Sequence, residues 1–449
     1  MCWKVEYIFL IIISTLIDYY ASNKMGEVTE KTDKKRWLIL SILTNLGLLL
    51  GFKYFNFASE NIRLIFNQFN IFYETPLFNL LLPVGISFYT FQTLSYTIDV
   101  YNGKTPAEKH LGVFAVYVAF FPQLVAGPIE RSHRLLPQFF QKHKFSYVRV
   151  KSGLQQMMWG FFKKVVIADR LAIIVDAIYN NPHDYSGFAL LLATLFFTFQ
   201  IYCDFSGYSD IAIGAAKVMG FELMENFKRP YFAKSISEFW RRWHISLSTW
   251  FRDYLYIPLG GNRVLKWRWY YNLFITFLIS GLWHGANWTF IIWGALHGLY
   301  LISAIISTKP KNYIKNMLGI ENSFIYKIWQ VGSTFVLVFF AWIFFRANSI
   351  NDAFYIIQNM FIDITDYTNL DIMKLKFRGL GVQINDIIIC IFLIVVMEIY
   401  HLYERTGNVW EKLNSQPKIL RWSVYYVIIF CILFLGPYTR VNNFIYFQF

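Results

Sequence analysis

The chain has 449 residues, of which 56% are hydrophobic, 20% aromatic and only 16% charged. A water-soluble core could not bury so much apolar surface, so the composition excludes an ordinary soluble protein and predicts one embedded in membrane lipid. The formal net charge of +14 would suggest nucleic-acid binding in a soluble domain, whereas in a membrane protein it marks cytoplasmic loops. We therefore predict a multi-pass protein of the inner (cytoplasmic) membrane with no nucleic-acid partner.

Apolar runs recur along nearly the whole chain. A helix needs about 20 mostly apolar residues to cross the hydrocarbon core, and several runs are shorter, so some segments should be short or re-entrant. We predict an all-α transmembrane bundle with segments at residues 5–20, 37–57, 77–97, 111–126, 153–178, 188–202, 271–283, 288–306, 328–345, 384–403 and 422–435.

No linker or long polar stretch separates these segments, so we predict one domain over residues 1–449. Residues 1–76 would hold N-terminal spans, 77–306 the functional core and 307–449 C-terminal spans. In the core, Gly, Pro, Asp, Arg and His mix with apolar residues, as expected where polar groups line a buried cavity. The first apolar run ends without a small-residue cleavage site, so we expect it to remain as the insertion signal.

Basic residues cluster in three stretches between predicted spans. An excess of Lys and Arg favours the cytoplasmic side, so we predict that all three stretches are cytoplasmic loops. Their members are Lys31, Lys34, Lys35 and Arg36; Arg131, Arg134, Lys142, Lys144, Arg149, Lys151, Lys163 and Lys164; and Lys228, Arg229, Lys234, Arg241 and Arg242.

Acidic residues stand at the ends of two apolar runs. Asp99 follows the third run, and residues 200–210, QIYCDFSGYSD, carry Asp204 and Asp210. We predict that Ser209 or Asp210 caps a new helix beginning at IAIGAAKVMG. Asp204 is preceded by a continuous apolar run and is harder to explain as a cap, whereas Asp99 fits either a helix end or a functional site.

Residues 238–259 predict a basic, aromatic-rich amphipathic helix. One side of a helical projection carries Trp240, Trp243, Leu247, Trp250, Phe251 and Tyr254. Arg241, Arg242 and Arg252 fall largely elsewhere, so a membrane-surface anchor explains the pattern as well as a functional site does. His244 falls on the apolar side, which predicts an ionisable ring on the buried face.

His284 lies in SGLWHGANW between Gly281 and Gly285. Glycines four apart are a packing motif of membrane helices, and a nearby histidine can bond across such a contact. An ionisable residue within a span is also a functional candidate, and small neighbours would leave room for a substrate. Histidine can accept a hydroxyl proton near neutral pH. His297, again between glycines four apart, is expected to be a packing residue or a support for the reacting one.

The sequence shows no nucleotide-binding loop, zinc-ligand set or serine-hydrolase elbow, and its four cysteines lack metal-ligand spacing. We therefore expect no metal site. The residues alone leave two function classes open, an enzyme and a transporter or flippase for a sugar or lipid. The absence of an internal repeat argues against the transporter.

Six blocks of the sequence resemble the membrane-bound O-acyltransferase family, in the branch of the bacterial alginate and peptidoglycan O-acetylation proteins. They are PVGISFYTFQTLSYTIDVY from residue 83, FFPQLVAGPIERSHRLLPQ from 120, DFSGYSDIAIGAAKVMGF from 204, ENFKRPYFAKSISEFWRRWHISLSTWFRDYLYIPLGGNR from 225, GLWHGANWTFIIWGALHG from 281 and WIFFRA from 342. YIPLGGNR is similar to the polysaccharide O-acetylation branch rather than to the branch that moves D-alanine onto teichoic acid. Family members usually carry one or two further apolar segments before the region that matches residues 3–20.

The resemblance implies a bundle with a central funnel whose openings meet near two signature histidines, which match His244 and His284. His284 would be the general base and His244 would orient or polarise the reacting groups. The implied donor is acetyl-CoA, with no bound cofactor, and Arg241, Arg242 and Arg252 are candidates for holding it. The acceptor would be an extracytoplasmic polysaccharide served by a hydrolase-like partner protein. D-alanyl or other acyl transfer to an envelope polymer, or acylation of a lipid or secreted protein, is the alternative within the enzymes.

Overall fold

A computed structural model describes residues 7–72, 83, 85–320, 323–362, 383–438 and 444–445. The regular structure of these residues is helical and includes no β-strand, which confirms the predicted all-α class. The helices are α1 (Ile8–Glu27), α2 (Lys31–Leu49), α3 (Phe55–Gln68), α4 (Ile86–Tyr101), α5 (Leu111–Val118), α6 (Phe121–Leu124), α7 (Ser132–Leu135), α8 (Tyr147–Phe161), α9 (Asp169–Tyr179), α10 (Phe188–Met219), α11 (Ile236–Trp240), α12 (Ile245–Phe251), α13 (Lys266–His284), α14 (Trp288–Ile306), α15 (Thr308–Met317), α16 (Phe324–Arg346), α17 (Ile350–Asn359), α18 (Ile384–Glu404), α19 (Val409–Asn414) and α20 (Lys418–Leu435).

Three π-helical turns interrupt or extend these helices. Leu50–Tyr54 joins α2 to α3, and Phe162–Ala168 joins α8 to α9, so each pair forms one continuous helix. Arg252–Tyr256 extends α12. Such wide turns redirect the side chains around them and often occur near functional sites.

Six helices in the described part of the chain are long and apolar enough to cross a bilayer. They are Lys31–Gln68, Phe188–Met219, Trp288–Ile306, Phe324–Arg346, Ile384–Glu404 and Lys418–Leu435. The chain is therefore a multi-pass membrane protein. The count of eleven segments stays a prediction, and residues 5–6 of the first predicted span and 77–82 and 84 of the third lie outside the described residues.

The long helix α10 runs without a break through residues 200–210, so the prediction that Ser209 or Asp210 caps a new helix is wrong. The acidic groups do not end the helix because cations on its neighbour neutralise them. Lys164 contacts the Asp204 carboxylate at 2.6 Å, and Lys163 contacts Asp210 at 2.6 Å. Both lysines belong to the π turn between α8 and α9, so placing them in a loop was also wrong.

Glycines bring α8 and α10 close enough for these ion pairs. A Cβ built on Gly207 would lie 2.8 Å from the carbonyl oxygen of Gly160, and one on Gly214 would lie 2.6 Å from that of Gly153. Real Cβ atoms do not approach so closely, so larger residues would force the helices apart. Gly153, the first of the pair in α8, faces Gly214, the second of the pair in α10, so the two helices pack antiparallel.

Side-chain contacts gather the basic loops at one end of the bundle. Arg131 pairs with Asp253 at 3.3 Å, and Tyr254 donates to Asp99, in the last turn of α4, at 2.7 Å. The backbone N–H of Glu222 donates to Gln138 at 2.8 Å, which joins the loops before α8 and after α10. Their common location puts these loops on one side of the membrane, and the assignment of that side to the cytoplasm stays a prediction. Arg131, however, is buried rather than looped out into solvent.

Candidate functional site

The predicted continuous helix over residues 238–259 is wrong, because the chain turns sharply at His244. Helix α11 ends at Trp240, and α12 begins at Ile245. Between them His244 adopts the left-handed conformation, with φ 41° and ψ 56°. A side chain with a Cβ rarely adopts this conformation, so surrounding contacts must hold it. The segment is not a membrane-surface anchor either, since Trp240, Trp243 and Trp250 are buried.

The prediction that His244 is buried is confirmed, and Asn226 holds its ring. His244 is 0% exposed, and its Nδ1 lies 3.1 Å from the Asn226 side-chain oxygen. The same oxygen accepts the backbone N–H of Ser246 at 3.2 Å and the Ser246 hydroxyl at 2.9 Å. A backbone N–H can only donate, which fixes this atom as the amide oxygen. His244 Nδ1 therefore carries the proton and donates, and Nε2 is the basic nitrogen.

Asn226 is a functional candidate that sequence reasoning missed. It lies in the loop after α10, and its own amide group donates to Ser209 Oγ at 3.1 Å. Its backbone carbonyl also accepts the N–H of Ile245, the first residue of α12. The only sequence feature that could have pointed to Asn226 is that it lies in the block of family resemblance that begins at residue 225.

Asn226→Ala should lower the turnover number by about 10- to 100-fold, the range for a group that orients a reacting histidine. The variant loses the acceptor that fixes the His244 tautomer. Asn226→Asp is the matched control, because it keeps an acceptor oxygen for His244 and Ser246 and should retain most activity. Steady-state rates of the two variants at equal membrane levels provide the measurement. Equal losses in both would contradict the tautomer role.

His284 is the last residue of α13 and is only 3% exposed, which confirms its predicted burial. Three aromatic rings surround the imidazole, with centroid distances of 5.0 Å to Trp283, 5.0 Å to Trp293 and 5.2 Å to Phe345. Trp283 also lies 6.3 Å from the His244 ring, centroid to centroid. One indole thus contacts both histidines, and the aromatic surroundings restrict water at both.

The glycines around His284 pack helices together. A Cβ on Gly281 would collide with the Phe290 carbonyl oxygen, and one on Gly294 with the Phe277 carbonyl oxygen. The packing interpretation of this motif is therefore confirmed for α13 and α14. A Cβ on Gly285 would strike the Phe290 ring, so these glycines do not by themselves leave room for a substrate.

His297 is a third buried histidine close to the two candidate residues. It is fully buried, and Trp240 Nε1 donates to its Nδ1 at 3.2 Å. Trp293 contacts both His297 and His284, each at a centroid distance of 5.0 Å. This placement agrees with the expected packing or supporting position, and its role stays a prediction.

Two cavities reach neighbours of the two histidines, although neither imidazole lines a cavity. The first cavity, of about 570 Å³, begins at Gly285, next to His284, and is lined by polar residues that include Lys53, Asp176, Asn180, Asn287 and Arg346. The second cavity, also about 570 Å³, is lined by Gln156, Lys163, Asp210, Asn226, Lys228 and Arg229 among others. Asn226 connects it to His244.

The cavities lie at opposite ends of the bundle. Gln156 in the second cavity and Asp176 in the first belong to the continuous helix α8–α9. They are about 20 residues apart, or roughly 30 Å along the axis, close to the thickness of the hydrocarbon core. The predicted central funnel is not confirmed, because different residues bound the two cavities.

The three arginines predicted to hold the donor do not line either cavity. Arg242 pairs with Glu238, Arg252 with Asp253, and Arg241 bonds to Ser237. The basic residues of the second cavity are instead Lys163, Lys217, Lys228 and Arg229. Donor binding by the arginines stays a prediction.

Asp204 lies beside the site rather than in it. It pairs with Lys164, and its second oxygen accepts the backbone N–H of Ile445 at 2.7 Å. Phe444 packs at 5.8 Å from Phe205, whose ring is 4.6 Å from that of His244. Among the described residues no group of three or more His, Cys, Asp or Glu side chains could hold a metal ion.

Comparison with known proteins gives consistent matches. A model of the membrane-bound O-acyltransferase family matches residues 110–310. The probable alginate O-acetylase of Azotobacter vinelandii is 41% identical over 422 residues, covering 92% of this chain and 80% of that protein. The peptidoglycan O-acetyltransferase of Helicobacter pylori is 33% identical over 491 residues, covering 100% and 89%. The teichoic acid D-alanyltransferase of Bacillus subtilis is 30% identical over 239 residues, covering 50% and 60%.

Proposed function

The chain belongs to the membrane-bound O-acyltransferase family, and on that premise we propose that it passes acetyl groups from cytoplasmic acetyl-CoA across the inner membrane for O-acetylation of an extracytoplasmic polysaccharide. The polymer would be alginate-like or peptidoglycan. Relatives named for acetylation of these polymers match over most of the chain, whereas the D-alanyltransferase matches over half of it. The longer matches favour acetyl over D-alanyl transfer.

The observation that carries the proposal is the position of His284 between the two cavities. Gly285, the next residue, lines the first cavity, and Trp283 contacts both His284 and His244, which Asn226 connects to the second. A group that transfers an acyl unit across the membrane must be reached by a donor from one side and an acceptor from the other. An aromatic, water-poor site between two entrances suits that task.

The second cavity suits the donor. It lies at the end of the bundle where the basic loops gather, and Lys217, Lys228 and Arg229 would attract the phosphates of coenzyme A. Its volume of about 570 Å³ is in the range of small-molecule and cofactor sites. The first cavity, with the amides of Asn180 and Asn287, would receive the acceptor hydroxyl, presented by an extracytoplasmic partner protein.

In the proposed reaction, His284 removes the proton of the acceptor hydroxyl as its oxygen attacks the thioester carbonyl carbon. The tetrahedral adduct collapses, the carbon–sulfur bond breaks, and the coenzyme A thiolate takes the proton back from the imidazolium. Nδ1 of His244 donates to Asn226, so Nε2 can accept a hydrogen bond but cannot donate one. His244 therefore cannot polarise the carbonyl, and because the single hydroxyl proton goes to His284, His244 would orient the reacting groups through its contact with Trp283.

Inverted membrane vesicles test the proposal directly. Labelled acetyl-CoA added outside such vesicles meets the cytoplasmic face, and we expect label to appear in luminal polymer or partner protein. Right-side-out vesicles should show none, because coenzyme A thioesters do not cross lipid. Vesicles containing His284→Ala serve as the control. Consumption of a D-alanyl thioester but not of acetyl-CoA by the same inverted vesicles would refute the acetyl assignment.

A further inference from the structure

Two neighbouring side chains of the π turn between α2 and α3 reach the end of the helix that carries His284. Lys53 Nζ donates to the carbonyl oxygens of Trp283 at 2.8 Å and His284 at 2.9 Å. The Tyr54 hydroxyl donates to the carbonyl oxygen of Leu282 at 2.8 Å. Three successive carbonyls of α13 are thus held by two adjacent residues more than 200 positions away in sequence.

These carbonyls need partners from outside their own helix. Helix α13 stops at His284, and Gly285 continues in an extended conformation, with φ −163° and ψ 150°. The carbonyls of a last helical turn lack the N–H groups of a following turn, and such groups are costly to leave unbonded at membrane depth. A cation is also favoured at a helix C-terminus, where the helix dipole is negative.

The two residues that share this task lie in a π turn. Neighbouring side chains in an α-helix diverge by about 100°. A π turn holds more residues per turn, so the divergence is smaller. Lys53 Nζ also lies 5.9 Å from the centre of the Trp283 ring, which contacts both histidines. The turn therefore contacts both the backbone and the indole of the site.

Resting on the proposed function of His284, we propose that Lys53 and Tyr54 are positioning residues that hold the end of α13 and so set the place of the His284 imidazole. A shift of about 1 Å in a reacting group can cost about 100-fold in rate. Loss of the ammonium would let the terminal turn of α13 fray into the first cavity, which Lys53 also lines. Substrate binding at the far cavity would not change.

The test begins with Lys53→Ala in the full-length protein. We expect a 10- to 100-fold lower kcat, an unchanged KM for acetyl-CoA and normal accumulation. The atoms that lysine has beyond the Cβ of alanine correspond to a propylammonium ion. Propylammonium added to the assay should enter by the first cavity, which Lys53 lines, and restore part of the lost rate. Sodium chloride at the same ionic strength should not. Arg63→Met, which removes an exposed cation from α3, is the matched control and should keep the parent rate.

Three results would overturn the proposal: full kcat in Lys53→Ala, a raised KM with kcat unchanged, or a loss of kcat that propylammonium does not restore. If Lys53→Ala fails to accumulate, Lys53→Arg and Tyr54→Phe decide. Lys53→Arg keeps donors for the carbonyls of Trp283 and His284, so its kcat should fall only slightly. Tyr54→Phe loses the hydrogen bond to the carbonyl of Leu282, so its kcat should fall several-fold. Full kcat in Tyr54→Phe would then refute the proposal. Activity in His284→Ala would instead refute the proposed function.

Discussion

Replacing His284 with alanine should reduce acetyl transfer by about 10³-fold, within the range that a general base contributes. The imidazole is the only group that the proposed reaction uses to remove the hydroxyl proton. The change leaves a small void among Trp283, Trp293 and Phe345. Helix packing at Gly281 and Gly294 does not involve the imidazole, so the protein should reach the membrane at normal levels.

His297→Ala provides the comparison for this result. It removes an equally buried imidazole one helical turn from Trp293, and it should cost far less activity because His297 is not placed to meet substrate. Acetyl transfer and immunodetected membrane levels should be measured for both variants. Disappearance of His284→Ala from the membrane would favour a packing role for the residue. Normal accumulation with retained activity would exclude it as the base.

The second large effect is expected at His244, where His244→Asn should lower kcat by about 100-fold. Asparagine tolerates the left-handed conformation better than alanine does, so this variant removes the imidazole with little added backbone strain. His244→Ala combines the loss of the ring with a strained backbone and should accumulate less well. Comparing the two separates the chemical role of the ring from its part in shaping the turn.

Donor affinity gives the decisive measurement for His244. If the His244 ring orients the reacting groups through Trp283, kcat should fall while the KM for acetyl-CoA stays near its original value. Weaker acetyl-CoA binding with normal turnover in His244→Asn would argue against direct participation. It would place the residue in the wall of the donor cavity, next to Asn226.

The sequence predicted those features of the fold that depend on composition and local pattern. Apolar runs gave the helical class and the position of α14, α16 and α18, and the packing motif gave the contact of α13 with α14. Burial of His244 and His284 followed from their apolar neighbours. The family resemblance, rather than periodicity, distinguished them from packing histidines.

Features that depend on distant partners were not predictable. Helix α10 continues past Asp204 and Asp210 because Lys163 and Lys164 neutralise them, and no pattern within residues 188–219 shows this. The left-handed turn at His244 depends on Asn226, a loop residue 18 positions earlier. Helical periodicity continued through that turn because residues on both sides are buried, Trp243 in one hydrophobic cluster and Trp250 in another. The capping of α13 by Lys53 and Tyr54 could likewise not be predicted, because these residues lie more than 200 positions from it in sequence.

The ion pairs between α8–α9 and α10 also bear on how the protein is made. The helix that carries Lys163, Lys164 and Asp169 is not among those apolar enough to enter lipid by themselves, whereas α10 carries the opposing carboxylates. Either helix alone would expose uncompensated charge to acyl chains as it left the translocon. Their antiparallel glycine contact can form once α10 has been synthesised, because only residues 180–187 connect the two helices. The two helices are therefore expected to partition into the bilayer together, as a hairpin, with the charges already neutralised.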